Sequence, residues 1–194
     1  LGTGVRTVGT QKIFAQGSLQ TTEEGLDVAI NGRGFFEILL PDGSSGYTRD
    51  GQFSLNQDGA LVNSSGLMLQ PQIDIPQNAN TVTIGTDGTV TASVSGQAAP
   101  TTVGNLNLVD FTNPAGLQAA GGNLFLETAS SGTPNQQTPG TNGVGSLVQG
   151  ALENSNVEVV EELVNMITTQ RAYELNSRVI STADQMLQFI SQNL

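Results

Sequence analysis

The stretch NSNVEVVEELVNMITTQRAYELNSRVISTADQMLQFISQNL, residues 154–194, closes the chain. It contains neither glycine nor proline, whereas residues 1–150 hold all 24 Gly and all 7 Pro. Excluding both breakers from so long a run predicts one unbroken helix. Ser155-Asn156-Val157-Glu158 fits a capping box: a hydroxyl for the first-turn amides, and a carboxylate three residues on that reaches back. About 37 residues can follow, roughly 55 Å at 1.5 Å per residue.

Val159, Met166, Tyr173, Ile180 and Leu187 recur every seven residues, the period of a coiled-coil seam. Val160, Leu163, Val164 and Ile167 widen that stripe on one side early in the run. Ala183 and Ile190, with Val179 and Met186, widen it on the other side later. Two differently aimed stripes imply two contacts, or one partner plus neighbours. The polar face of the later half runs through Gln170, Glu174, Ser177, Ser181, Asp184, Gln185 and Gln188. An apolar stripe this long does not stand alone in water. Its partner is another copy, another protein, or a part of the molecule outside this sequence; the plainer alternative lays the helix on its own β-domain.

The rest of the chain reads as β-structure. Short apolar or alternating runs at 26–30, 34–40, 52–55, 66–70, 81–84, 89–94, 106–111 and 123–127 predict strands. Asn31-Gly32, Asp42-Gly43, Asp50-Gly51, Asp58-Gly59 and Asp87-Gly88 suit tight turns with positive φ. The fold class is therefore mainly β: an all-β outer domain over 25–128, expected to fold alone, plus the long helix of coiled-coil type. Residues 1–24 read as an extended stem and 129–152 as a Gly/Pro-rich return linker beside it. The assembly helix takes 153–194.

Composition removes most chemistry. Cys, His and Trp are absent and Tyr occurs twice. This excludes thiolate and imidazole chemistry and leaves little aromatic surface for stacking sugars or bases. A net charge of −11 with six Lys and Arg argues against nucleic acid and anionic membranes. No apolar run approaches the roughly 20 residues of a membrane span. NQDGALV (56–62) lacks the alternating oxygens and closing carboxylate of a calcium loop. NGRGFF (31–36) lacks the third glycine of a dinucleotide loop and reads as a turn into a strand, Phe35 and Phe36 facing opposite ways. No catalytic residue, cofactor, metal or small-molecule substrate is expected.

LDVAINGRGFFEI (26–38), GYTRDGQFSLNQDGALV (46–62) and NSNVEVVEELVNMITTQRAYELNSRVISTADQML (154–187) resemble the bacterial flagellar axial proteins, the rod and hook family. NSRVISTADQM (176–186), LDVAINGRGFF and the LGTGV opening (1–5) favour a distal-rod member, with proximal rod or hook subunits as the nearest alternatives. The resemblance implies export without a cleaved signal peptide, through the flagellar export apparatus. It implies self-assembly into a hollow helical rod across the periplasm, with the terminal helices inside and the β-domain outside. The shaft would carry torque from motor to hook. Its implied partners are further copies, adjacent proximal rod and hook subunits, and the peptidoglycan and outer-membrane ring proteins. Family members begin with an apolar helix ahead of the region matching this sequence, the natural partner of the stripe.

On this reading Val159, Leu163, Met166, Ile167, Tyr173, Ile180, Leu187 and Ile190 form the assembly interface. Gln170, Ser177, Asp184 and Gln188 face the central channel. Readings from other classes are a secreted β-rich adhesin or binding module with an oligomerising helix, which specific glycan binding would support, and a hydrolase using two carboxylates.

Overall fold

The computed structural model describes residues 6, 11–96 and 99–192, the side chains of 189–192 excepted. They form two units, Leu1–Asn154 and Ser155–Leu194. The first is a β-body with strands β1 (Leu19–Thr21), β2 (Val28–Asn31), β3 (Phe36–Leu39), β4 (Ser45–Thr48), β5 (Phe53–Leu55), β6 (Leu61–Asn63), β7 (Leu69–Gln70) and β8 (Ala79–Ile84). It continues with β9 (Thr89–Val94), β10 (Thr101–Asn105), β11 (Leu108–Asp110), β12 (Gln118–Gly121), β13 (Leu124–Leu126), β14 (Asn135–Gln137), β15 (Ser146–Gln149) and β16 (Ala151–Glu153). The second unit carries α1 (Val159–Gln192).

Five strands form the largest sheet, in the order β12-β13-β4-β3-β7; β10-β9-β8 form another, and the rest pair in twos. Alternation along the strands divides the apolar residues between two cores. Phe36, Ile38, Leu69, Leu106, Leu108 and Leu147 belong to the larger core; Phe35, Tyr47, Val109, Phe111 and Leu117 belong to the smaller. Adjacent residues, Phe35/Phe36 and Leu108/Val109, thus serve different cores. In the smaller one, Phe14 meets Phe35 and Phe125 edge-on at 5.6 and 5.1 Å, and Tyr47 meets Phe111 at 4.8 Å. Burial first, and the charges of Glu37 and Glu127 second, push the Tyr47 phenol up to about 12.

The boundary expected at residue 128 falls inside this body. The segment 129–152 is strand-forming: β14 pairs with β11, and β15 pairs along the whole of β2 from Asn31↔Ser146 to Val28↔Gln149. Val144 and Leu147 lie in the larger core beside Val28 and Ile30. A fragment ending at residue 128 would lack β14 and β15 and leave Val28 and Ile30 without Val144 and Leu147.

Turn chemistry holds the hairpins. Asn56 Oδ1 accepts from the Asp58 and Ala60 amides, so NQDGALV closes on its own backbone. The Ser44 hydroxyl and amide hold the Asp42 carboxyl below its usual range, and the Thr89 amide and hydroxyl do the same for Asp87. Gly32, Gly43, Gly59 and Gly88 take positive φ as expected; Gly51 does not.

Two glutamines finish strand edges. Gln16 Nε2 donates to Ile30 O (3.2 Å) while its Oε1 accepts from Gly32 N (3.0 Å). Gln149 Nε2 donates to Val82 O (2.8 Å) and Gly25 O (2.6 Å), and its Oε1 accepts from Ile84 N (3.1 Å). Each amide bonds a carbonyl and the N–H two residues on, as a neighbouring strand would. Gln149→Ala leaves three backbone groups short of a partner, which costs about 1–3 kcal/mol. At about 2–4 °C per kcal/mol for a chain this size, the melting temperature should fall by roughly 2–12 °C. A thermal melt with a shift under about 2 °C would show that the clasp is dispensable.

Candidate assembly surface

The helix α1 runs unbroken through 34 residues. It begins at Val159, three residues later than a cap at Ser155 predicts. Ser155 Oγ accepts the Val157 amide (3.3 Å), a short turn two residues on, rather than capping the helix. Glu158 O instead accepts the Glu162 amide at 3.1 Å. Glu161 and Glu162 occupy the first turn, where the helix dipole favours negative charge.

At about 100° per residue, the apolar residues divide into two sets. With Val159 at zero, Val160, Leu163, Val164, Met166 and Ile167 span roughly −20° to 140°. Val179, Ile180, Ala183, Met186 and Leu187 span roughly 180° to 300°. The apolar face therefore swings to nearly the opposite side of the helix between its halves. All the large side chains among these are exposed, from 47% at Ile167 to 74% at Val160, and Tyr173 is exposed at 78%.

Of the expected interface residues, Val159, Leu163, Met166 and Ile167 share the early face. Tyr173, Ile180 and Leu187 step around by about 20° per heptad, the drift that supercoiling removes. The side chain of Ile190 lies outside the described residues. Gln170, Ser177, Asp184 and Gln188 fall within about 20° of the Val159 line, so the later polar face continues the direction of the early apolar one. Between the halves, Thr168 and Thr169 hydroxyls donate to Asn165 O, and Ser181 and Thr182 hydroxyls donate to Arg178 O. Arg178 and Glu174 pair one turn apart.

The β-body ends in a two-stranded stem. Strand β1 pairs antiparallel with β16, Leu19↔Glu153 to Thr21↔Ala151, and the Asn154 amide donates to Ser18 O (2.9 Å). The incoming segment is tied on through Lys12 Nζ to Leu117 O (2.7 Å) and through Phe14 in the aromatic cluster. Residues 1–5, with the LGTGV opening, and 7–10 lie outside the described part of the stem segment. A groove of about 420 Å³ beside Leu26, Leu55, Ile75 and Val82 is lined by no charged side chain.

Residues 29–92 match the family described as Flagellar hook protein FlgE/F/G D1 domain, and 148–193 match Flagellar basal body rod FlgEFG protein C-terminal. The chain is 56% identical over 192 residues to the flagellar basal-body rod protein FlgG of Buchnera aphidicola subsp. Schizaphis graminum, across 99% of this chain and 74% of that protein. The chain belongs to the flagellar basal-body rod protein family. Rod-protein relatives named FlgG in Caulobacter vibrioides and Bacillus subtilis are 50% and 38% identical, over 99% and 97% of this chain and 73% and 72% of theirs. The C-terminal rod-protein match spans β16 and α1 together. Sequence reading located the helix of this rod protein but missed the stem contacts. Gly17, Ser18 and Asn154 bond through backbone groups whose partners lie more than a hundred residues away, and no local pattern marks them.

Proposed function

We propose that this structural subunit of the flagellar rod, a component of the basal body, polymerises through α1 into the distal part of a hollow helical shaft that carries torque from motor to hook. The observation that carries the reading is the reversal of the apolar face along one unbroken helix. A single partner lying along the whole length needs one straight or gently supercoiled stripe. A helix inside a polymer meets different neighbours at its two ends, and each half then buries its own face. Val159, Leu163, Met166 and Ile167 make the early contact; Tyr173, Ile180, Leu187 and Ile190 make the later one. The β-body stays outside, toward the peptidoglycan and outer-membrane ring proteins, with proximal rod and hook subunits above and below. The role is mechanical, in keeping with the structural rod-protein family to which the chain belongs.

Gln170, Ser177, Asp184 and Gln188 line the channel through which the export apparatus delivers later subunits. A passage for unfolded chains must lack apolar patches on which they stick. Ser177→Leu and Gln188→Leu should slow secretion of later subunits several-fold while rod number stays near wild type. Secretion assays beside counts of purified basal bodies measure both. Lost rods with normal secretion would make this face a packing surface.

A further inference from the structure

Arg49 follows β4 in an Arg-Asp-Gly turn, a place where a cation ordinarily points into water. Its side chain is only 18% exposed, and that of Glu153 only 10%. Arg49 Nε and Nη2 both reach Glu153 Oε2, at 2.9 and 2.7 Å. Its Nη1 donates to Gly34 O (2.9 Å) and Nη2 also to Gly32 O (3.1 Å). The guanidinium carbon lies 6.0 Å from the centre of the Phe35 ring. All three nitrogens and one face of the group are thus engaged. The other oxygen of Glu153 accepts the Gly17 amide at 2.9 Å.

Glu153 is the last residue of β16, and Gly17 lies just ahead of β1. One ion pair therefore sits where the chain enters the body and where it leaves. The stem beyond it is a two-stranded ladder of three residue pairs, and β1 is exposed throughout. A ladder that short is marginal by itself and frays or swivels. A largely buried ion pair is also a poor source of stability, because desolvation offsets most of the attraction. What it supplies is direction, since the planar guanidinium fork holds several acceptors in one fixed geometry.

We propose that Arg49 is the positioning residue that fixes the stem's direction on the β-body, through a joint with Glu153 and the Gly17 amide. Force on the stem then reaches the body instead of being lost in a swivel, a consequence that rests on the rod-subunit reading.

Amide exchange on the full chain tests the joint apart from that reading. In Arg49→Lys and in Glu153→Gln, exchange at Gly17, Gln20 and Asn154 should accelerate about tenfold or more. Amides of Ile38 and Leu69, in the central sheet, should change less than about twofold. The double variant Arg49→Met/Glu153→Leu replaces the pair by apolar side chains of similar reach, a swap that such sites tolerate. It should keep the body folded and loosen the stem in the same way. Exchange that rises equally in stem and body, or in neither, overturns the joint. In cells, the double variant should build rods in normal number yet swim more slowly in viscous medium. Normal swimming with a loosened stem overturns the mechanical consequence. The rod-subunit reading fails separately, if deleting the whole gene leaves rods intact.

Discussion

Ile180→Asp and Met166→Asp, each introduced into the full-length protein, should cut hook–basal bodies to below about 1% of wild type. On the proposed reading the early and later faces bury these side chains when copies assemble, and an unpaired charge there costs several kcal/mol. Every 1.4 kcal/mol is a factor of ten in the equilibrium, and each added copy incurs the penalty again. Neither residue belongs to the cores of the β-body, whose melting temperature should stay within about 2 °C. Gln185→Asp is the control, because Gln185 lies about 140° around the helix from Ile180 and its charge stays hydrated. Basal bodies are counted after secretion of each variant has been verified. Equal losses at Ile180 and Gln185, or none at either, would mean that the helix polymerises through some other surface.

Gly51→Ala, a change of one methyl group, should destabilise the body severely. A Cβ at Gly51 would sit 1.7 Å from the Val28 carbonyl oxygen and 3.5 Å from the Phe36 ring. Neither strand can yield cheaply, since the Val28 amide donates to Gly51 O at 3.0 Å and Val28 is fully buried. Separating them opens the larger core beside Val28 and Phe36, at a cost of about 3 kcal/mol or more. The melting temperature should then drop by roughly 10 °C. Gly43→Ala is the contrast: its φ is +83° and nothing lies within 4 Å, so it carries only backbone strain of about 1–2 kcal/mol. Equal shifts for the two would show that close approach at Gly51 does not govern the site.

These two sites also mark where sequence reading succeeds and where it stops. Alternation located β3 and β9, which place buried apolar side chains on a period of two, and short apolar runs located β2 and β13. Strands such as β10 (TTVGN), β12 (QAAG) and β14 (NQQ) carry almost no apolar side chains, and pairing alone makes them strands. For the same reason the Gly- and Pro-rich segment 129–152 reads as linker although Val144 and Leu147 close the larger core. Asp50-Gly51 looks like its four sister pairs, yet its glycine serves a long-range approach to Val28 that no dipeptide encodes. On α1 the heptad repeat was legible, and so was the swing of the stripe. The start of the helix was not, because Ser155 spends its hydroxyl on a nearer amide.

The pairing of β1 with β16, and of β2 with β15, has a kinetic consequence. The hairpins β3–β4, β5–β6, β8–β9 and β12–β13 close short loops, whereas Thr21 must find Ala151 and Val28 must find Gln149. Loop-closure entropy delays such distant contacts until local structure makes them favourable. The β1–β16 and β2–β15 pairs are therefore expected to form after the hairpins. A subunit whose hairpins are only partly folded has no paired β1 and β16, so a formed stem marks a body whose hairpins are complete. Order of folding thereby becomes a quality check on what is built in.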